Sequence, residues 1–211
     1  ERYENLLGRM VIDGQDGPLR PCAACHVASI KAWARSPSDA KAQMAAAALE
    51  RMPAPRNVYA YNTVVNACAF YYGKETSVTM DVAEQTFKAL LSDKRCRPNG
   101  ASYCAMMKAV FHLTDASEHR DRRLGVLFDD ACKRGVVDDV LLGAVGQVCP
   151  SLMETLFLQF GDKGSDVDSK GRKKKKTGNQ RSTQGRVWVK ALPKSWSQNK
   201  FRDRHDKKKR K

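Results

Sequence analysis

At 211 residues the chain has room for one compact domain, or for a short array of repeats followed by a tail. Its net charge of +15 sits at one end: residues 161–211 hold 19 Lys/Arg and 5 Asp/Glu, a net of +14, which leaves the first 160 residues nearly neutral at +1. Apolar runs break well short of the ~18 residues needed to cross a bilayer, and seven cysteines, an odd number set mostly in apolar helical patterns, speak against a disulfide framework.

The body reads as helices, rich in Ala, Leu, Met, Lys, Arg and Glu and poor in β-branched alternation. A first unit opens at 20–34 (RPCAACHVASIKAWA). Residues 39–52 form a helix capped by Ser38 or Asp39 and followed by Pro53 and Pro55. Over 58–70, Val58, Tyr61, Val64, Val65 and Cys68 fall on one face at three- and four-residue spacing. Residues 79–91 repeat the pattern through Val82, Ala83, Phe87, Leu90 and Leu91. Helices are expected over 101–112 and 119–134, with short ones at 137–147 and 150–159. Each is too short to stand alone in water, so successive pairs must pack as hairpins.

The pairs also repeat. Segments 20–34, 55–69 and 97–111 align, each with a proline near its start and an aromatic or His at the fourth place. The units start at Ala23, Val58 and Gly100, intervals of 35 and 42 residues. The longer interval is accommodated by YGKETSVTM (72–80), read as a loop insertion.

A period near 35 carrying V-x-x-Y-N-T-V-V-N-A-C-A, then A-E-x-x-F-x-x-L, then R-P-N, resembles the pentatricopeptide repeat. The best unit is 58–99, with Tyr61, Asn62, Ala67, Ala83, Phe87 and Pro98 at family-typical places. The resemblance covers residues 1–160. It implies a partial repeat at 1–22, with ENLLGRM as a second helix, repeats at 23–57, 58–99 and 100–139, and a terminal cap at 140–160. The implied fold is all-α, a right-handed superhelical α-solenoid of helix-turn-helix repeats with a mostly disordered basic tail over 161–211, the C-terminal piece of a longer array. The implied function is binding of single-stranded RNA on a concave face, about one base per repeat. It involves no catalysis and no cofactor or metal, and the implied site of action is a mitochondrion or plastid. The protein is expected as a monomer away from membranes, with RNA-processing or ribosomal proteins as further partners.

Carried over by position, the base-reading pair is a repeat's fifth residue and its last. In the best unit these are Asn62 and Asn99, and in the family two amides favour pyrimidines. The preceding unit offers Val27 and Asn57, and the following one Cys104 and Asp139; Val27, Cys104 and Asp139 depart from the family pattern. Tyr59, at the second place, would stack on a base. Each has a plainer reading: Asn62 as a local helix bond, Asn99 and Asp139 as helix caps, Tyr59 as a surface tyrosine.

Other motifs compete. Cys22-Ala-Ala-Cys25-His26 matches the c-type haem attachment pattern, but no sixth ligand is evident. A zinc site would need two more ligands, and a deaminase an H-x-E that is absent from the chain. In the tail, Lys173, Lys174, Lys175 and Lys176, and later Lys207, Lys208, Lys209 and Arg210, suit phosphate contacts, nuclear import or plain solvation. Trp188 and Trp196, with Leu192, either dock on the last helices or stack on bases. A helical-repeat scaffold for protein partners is the alternative that the near-neutral body favours.

Overall fold

The computed structural model describes residues 21–53, 55–161, 187 and 189–199, together with residues 5 and 9. The 170–176 and 206–211 basic runs and Trp188 lie outside the described residues, as does nearly all of the partial repeat expected at 1–22. Among the described residues all regular structure is helical: eight α-helices and two 3-10 turns, without a strand. The chain divides into two compact units, residues 1–127 and 128–211.

The first unit contains α1 (Ala23–Ala34), α2 (Lys41–Glu50), α3 (Val58–Ala69), α4 (Thr76–Ser92), α5 (Gly100–Leu113) and the start of α6 (Glu118–Arg134). Asparagine starts two of these helices. Asn57 Oδ1 accepts from the Ala60 N–H at 2.8 Å, and Asn99 Oδ1 accepts from the Ser102 N–H at 3.1 Å. Ser102 Oγ accepts in return from the Asn99 N–H, closing a capping box. The helix expected from residue 39 begins at Lys41, with Ala40 at the cap; Ser38 Oγ instead accepts from the Ala40 N–H at 3.2 Å, a turn just before the helix.

Apolar faces then decide the packing. Helix α1 touches α2 and α3; α3 touches α1, α2, α4 and α5; α2 also meets α4. Alternate helices are therefore neighbours, α1 with α3 and α3 with α5. Ala42, Ala45 and Ala48, all buried and spaced by three, form a small-residue stripe along α2, with Leu49 beside it supplying bulk. Ile30, Leu49, Met52, Tyr61, Val64 and Leu90 fill the core between these helices. Helix α4 starts at Thr76, so Thr76 to Met80 of the expected loop insertion are helical. Thr79 and Met80 are buried one turn before Ala83, so the apolar stripe extends further back than its polar neighbours suggest.

The second unit holds the end of α6, α7 (Asp139–Val148) and α8 (Pro150–Phe160). Asp138 Oδ1 caps α7 by accepting from the Leu141 N–H at 2.8 Å, and Pro150 sits at the first position of α8, where a missing N–H costs nothing. Leu141, Leu142, Val145, Val148 and Leu156 are buried. So are Val187, Val189 and Leu192 of the segment that carries the 3-10 turns Val189–Ala191 and Lys194–Ser197.

None of the seven cysteines is bridged, and five of them are buried. Burial pushes the thiols of Cys68 and Cys132 up from 9.0 to about 12. A raised native value means that the fold keeps a proton the unfolded chain gives up. This contribution is intact below pH 9.0 and is lost as pH rises towards about 12. The unfolding free energy from urea titration is expected to fall between about pH 8 and about pH 10, by ~1 kcal/mol per thiol, and to fall less in Cys68→Ala/Cys132→Ala.

Candidate nucleic-acid interface

Each odd-numbered helix follows directly on its cap, so positions can be counted from its first residue. The caps are Cys22, Asn57, Asn99 and Asp138 for α1, α3, α5 and α7. The place held by Asn57 and Asn99 is therefore taken in the next unit by Asp138. Asp139 is the first helical residue after it and is exposed. Two adjacent aspartates make this one-residue register ambiguous in sequence.

Asn62 and Asn99, 37 residues apart in sequence, come together: Asn62 Nδ2 donates to Asn99 Oδ1 at 3.4 Å. Asn99 Oδ1 accepts at the same time from the N–H and the Oγ of Ser102, both at 3.1 Å. The plainer reading of Asn99 as a cap thus holds alongside its pairing with Asn62. Asn62 is 9% exposed, and its Oδ1 is buried with no hydrogen-bond partner. A buried acceptor left in that state costs about 1–3 kcal/mol.

The other two units differ. Val27 is partly buried against the core cluster, and Asn57 is exposed while its Oδ1 caps α3. Cys104 is buried in the first unit. Of the three fifth-place residues, Asn62 alone offers a side-chain amide, and it meets its paired cap, Asn99.

Tyr59 is 50% exposed. The ammonium of Lys31, at the ninth place of α1, stands 4.9 Å from its ring centroid. At the thirteenth place of successive units, the rings of Phe70 and His112 lie 6.4 Å apart and tilted by 35°. Sequence reasoning missed both pairs. Their signal was present, since places two, nine and thirteen share a helical face with one another, but linking one helix to the next requires knowing which helices adjoin. Lys108, at the ninth place of α5, adds a second cation along this face.

The phosphate contacts expected at Lys173 to Lys176, at Lys207 to Lys209 and at Arg210 lie outside the described residues. Trp196, by contrast, is packed: its indole meets Phe128 and Phe160 edge-on, with centroids 6.0 and 5.4 Å away. Of the two alternatives for this segment, Trp196 and the buried Leu192 take docking. Among the described residues no three His, Cys, Asp or Glu side chains converge as metal ligands would, and no helix is long and apolar enough to cross a membrane. No protein-family model, curated protein or solved structure matches the chain.

Proposed function

We propose that the first unit is a pentatricopeptide-type solenoid segment that binds single-stranded RNA along the face of α1, α3 and α5, with the basic tail adding sequence-independent phosphate attraction. The observation that carries this reading is the Asn62–Asn99 contact. The fifth residue of one unit and its last residue converge, with an orphaned acceptor at Asn62 Oδ1 and an Asn99 Nδ2 that plays no part in the cap. A pyrimidine edge presents both a donor or acceptor and a neighbouring acceptor, which two amides can meet after a small side-chain rotation. Tyr59 supplies a half-exposed aromatic face for stacking, and Lys31 beside it supplies charge for a phosphate. The neighbour pattern, α1–α3–α5 and α2–α4, is what stacked hairpins produce. By the same resemblance, the site of action is a mitochondrion or plastid.

A protein-binding scaffold is the second reading. An apolar groove of about 390 Å³ between α4, α5 and the start of α6 favours it, with Phe87, Leu91, Met106 and Val110 in its lining.

Fluorescence anisotropy with pyrimidine-rich and adenosine-rich single strands separates the two readings. Tyr59→Ala is expected to weaken binding about 5- to 150-fold, the equivalent of ~1–3 kcal/mol. Asn62→Ala/Asn99→Ser keeps a competent cap and is expected to erase the pyrimidine preference while leaving overall stability near that of the parent. Binding that follows salt alone and ignores all three substitutions would leave the tail as the sole RNA contact and the repeats as a scaffold.

A further inference from the structure

The motif that the RNA reading leaves unused is Cys22-Ala-Ala-Cys25, at the start of α1. Cys22 is the N-cap, with an extended backbone at φ −81° and ψ 168°, and the helix begins at Ala23. The Cys25 N–H donates to the Cys22 carbonyl at 3.0 Å, and this first turn brings the two sulfurs to 3.3 Å. The pair is asymmetric: Cys22 is exposed and Cys25 half-buried.

The surroundings of the sulfurs differ as well. The N–H groups of a helix's first turn point outward and favour negative charge beside them. As a neutral thiol Cys22 closes no cap hydrogen bond, yet its pKa is lowered, first by the backbone N–H of Cys25, then by the Cys25 thiol and the N–H of Ala24. Burial acts the opposite way elsewhere, raising Cys96 to about 11 and Cys68 and Cys132 to about 12. An exposed, thiolate-favouring sulfur touching a second, shielded one is the arrangement that dithiol exchange requires.

We propose that Cys22 and Cys25 form a thiol–disulfide exchange site that acts on small disulfides of the glutathione class. The Cys22 thiolate attacks one sulfur of the external disulfide, forming a mixed disulfide and expelling one thiolate. Cys25 gives its proton to that leaving thiolate and attacks Cys22 Sγ, which expels the second thiolate; this takes up the proton Cys22 lost. Two protein thiols are oxidised to one disulfide, and the external disulfide is reduced to two thiols. The exchange chemistry does not rest on the RNA reading, although Cys22 takes in α1 the cap place that Asn57 and Asn99 take in α3 and α5.

The test treats the reduced full-length chain with oxidised glutathione near neutral pH, quenches with acid and maps the products by mass spectrometry. The parent is expected to lose two hydrogens and carry a Cys22–Cys25 disulfide without a lasting adduct. Cys25→Ser should trap one glutathionyl group on Cys22. Cys22→Ser should acquire adducts at least about tenfold more slowly, because the remaining thiols are half-buried or buried. Serine is itself a good N-cap, so the helix start survives that change. The proposal is overturned if Cys25→Ser reacts no faster than Cys22→Ser, if its adduct maps to another cysteine, or if the parent retains the mixed disulfide.

Discussion

Replacing Tyr103 by alanine is expected to lower the stability of the first unit by ~3–5 kcal/mol, close to what a buried aromatic costs when truncated. Tyr103 is fully buried in α5, and its ring meets Phe87 of α4 edge-on at 5.3 Å and 81°. The loss has two parts: the transfer energy of the ring, and the cavity that α4 and α5 cannot close because their backbones are held by neighbours on both sides. Natural domains have only about 5–15 kcal/mol in hand, so this single change would bring the unit near its unfolding midpoint. Tyr72→Ala supplies the contrast. Tyr72 is 86% exposed, and its one notable contact is the Lys41 ammonium 5.6 Å above its ring, so its loss should stay within about 0.5 kcal/mol. Urea unfolding followed by circular dichroism measures both. A Tyr103→Ala midpoint as close to the parent as that of Tyr72→Ala would mean that α4 and α5 do not share a packed face through Tyr103 and Phe87.

Tyr103 also shows what the sequence carried and what it did not. It holds the fourth place of its unit, as Tyr61 does in the unit before; three- and four-residue spacing put Tyr61 on an inner face, while Tyr103 was marked only by the repeat alignment. The helix start at Asn99, directly after Pro98, was readable because asparagine there has one strong local use, whereas Asn57, read only as a base contact, caps α3 in the same way. The start of α4 was not readable. Lys74, Glu75, Thr76 and Ser77 look like loop residues, and only the burial of Thr79 and Met80 against the unit extends the helix back to Thr76. The Asp138/Asp139 choice failed for a related reason: both residues cap well, and the difference lies in which backbone carbonyl begins the helix. In the candidate site, Asn62 and Asn99 were found from the repeat period, whereas Lys31 over Tyr59 and Phe70 beside His112 arise only once α1, α3 and α5 adjoin.

Gly135→Ala is expected to destabilise the second unit by ~2 kcal/mol or more, whereas the same substitution at Gly143 should stabilise it by ~0.5–1 kcal/mol. Gly135 follows the last residue of α6 with φ +70°, the left-handed conformation that ends many helices, and the Val136 N–H returns to the Ala131 carbonyl at 3.1 Å. A Cβ there would stand 2.8 Å from the Ser195 carbonyl oxygen and 2.8 Å from Gln198 Cγ. The first is backbone and cannot rotate away, so residues 195–199 would have to lift. That segment is held at the same spot: the Asn199 N–H donates to the Gly135 carbonyl at 2.8 Å, and the Val137 N–H donates to the Trp196 carbonyl at 2.8 Å. Lifting it strains both bonds and pulls the Trp196 indole from between Phe128 and Phe160. Gly143 lies within α7, and a Cβ there would meet nothing within 4 Å, so alanine only removes freedom from the unfolded chain. Limited trypsin digestion reads the difference at Lys190 and Lys194. Cleavage there should be at least about tenfold faster in Gly135→Ala than in the parent and no faster in Gly143→Ala, since proteolysis tracks the population of the opened segment. Equal cleavage of both variants would mean that residues 195–199 are not seated on the end of α6, and the packed role given to Trp196 would pass back to the exposed, base-stacking alternative.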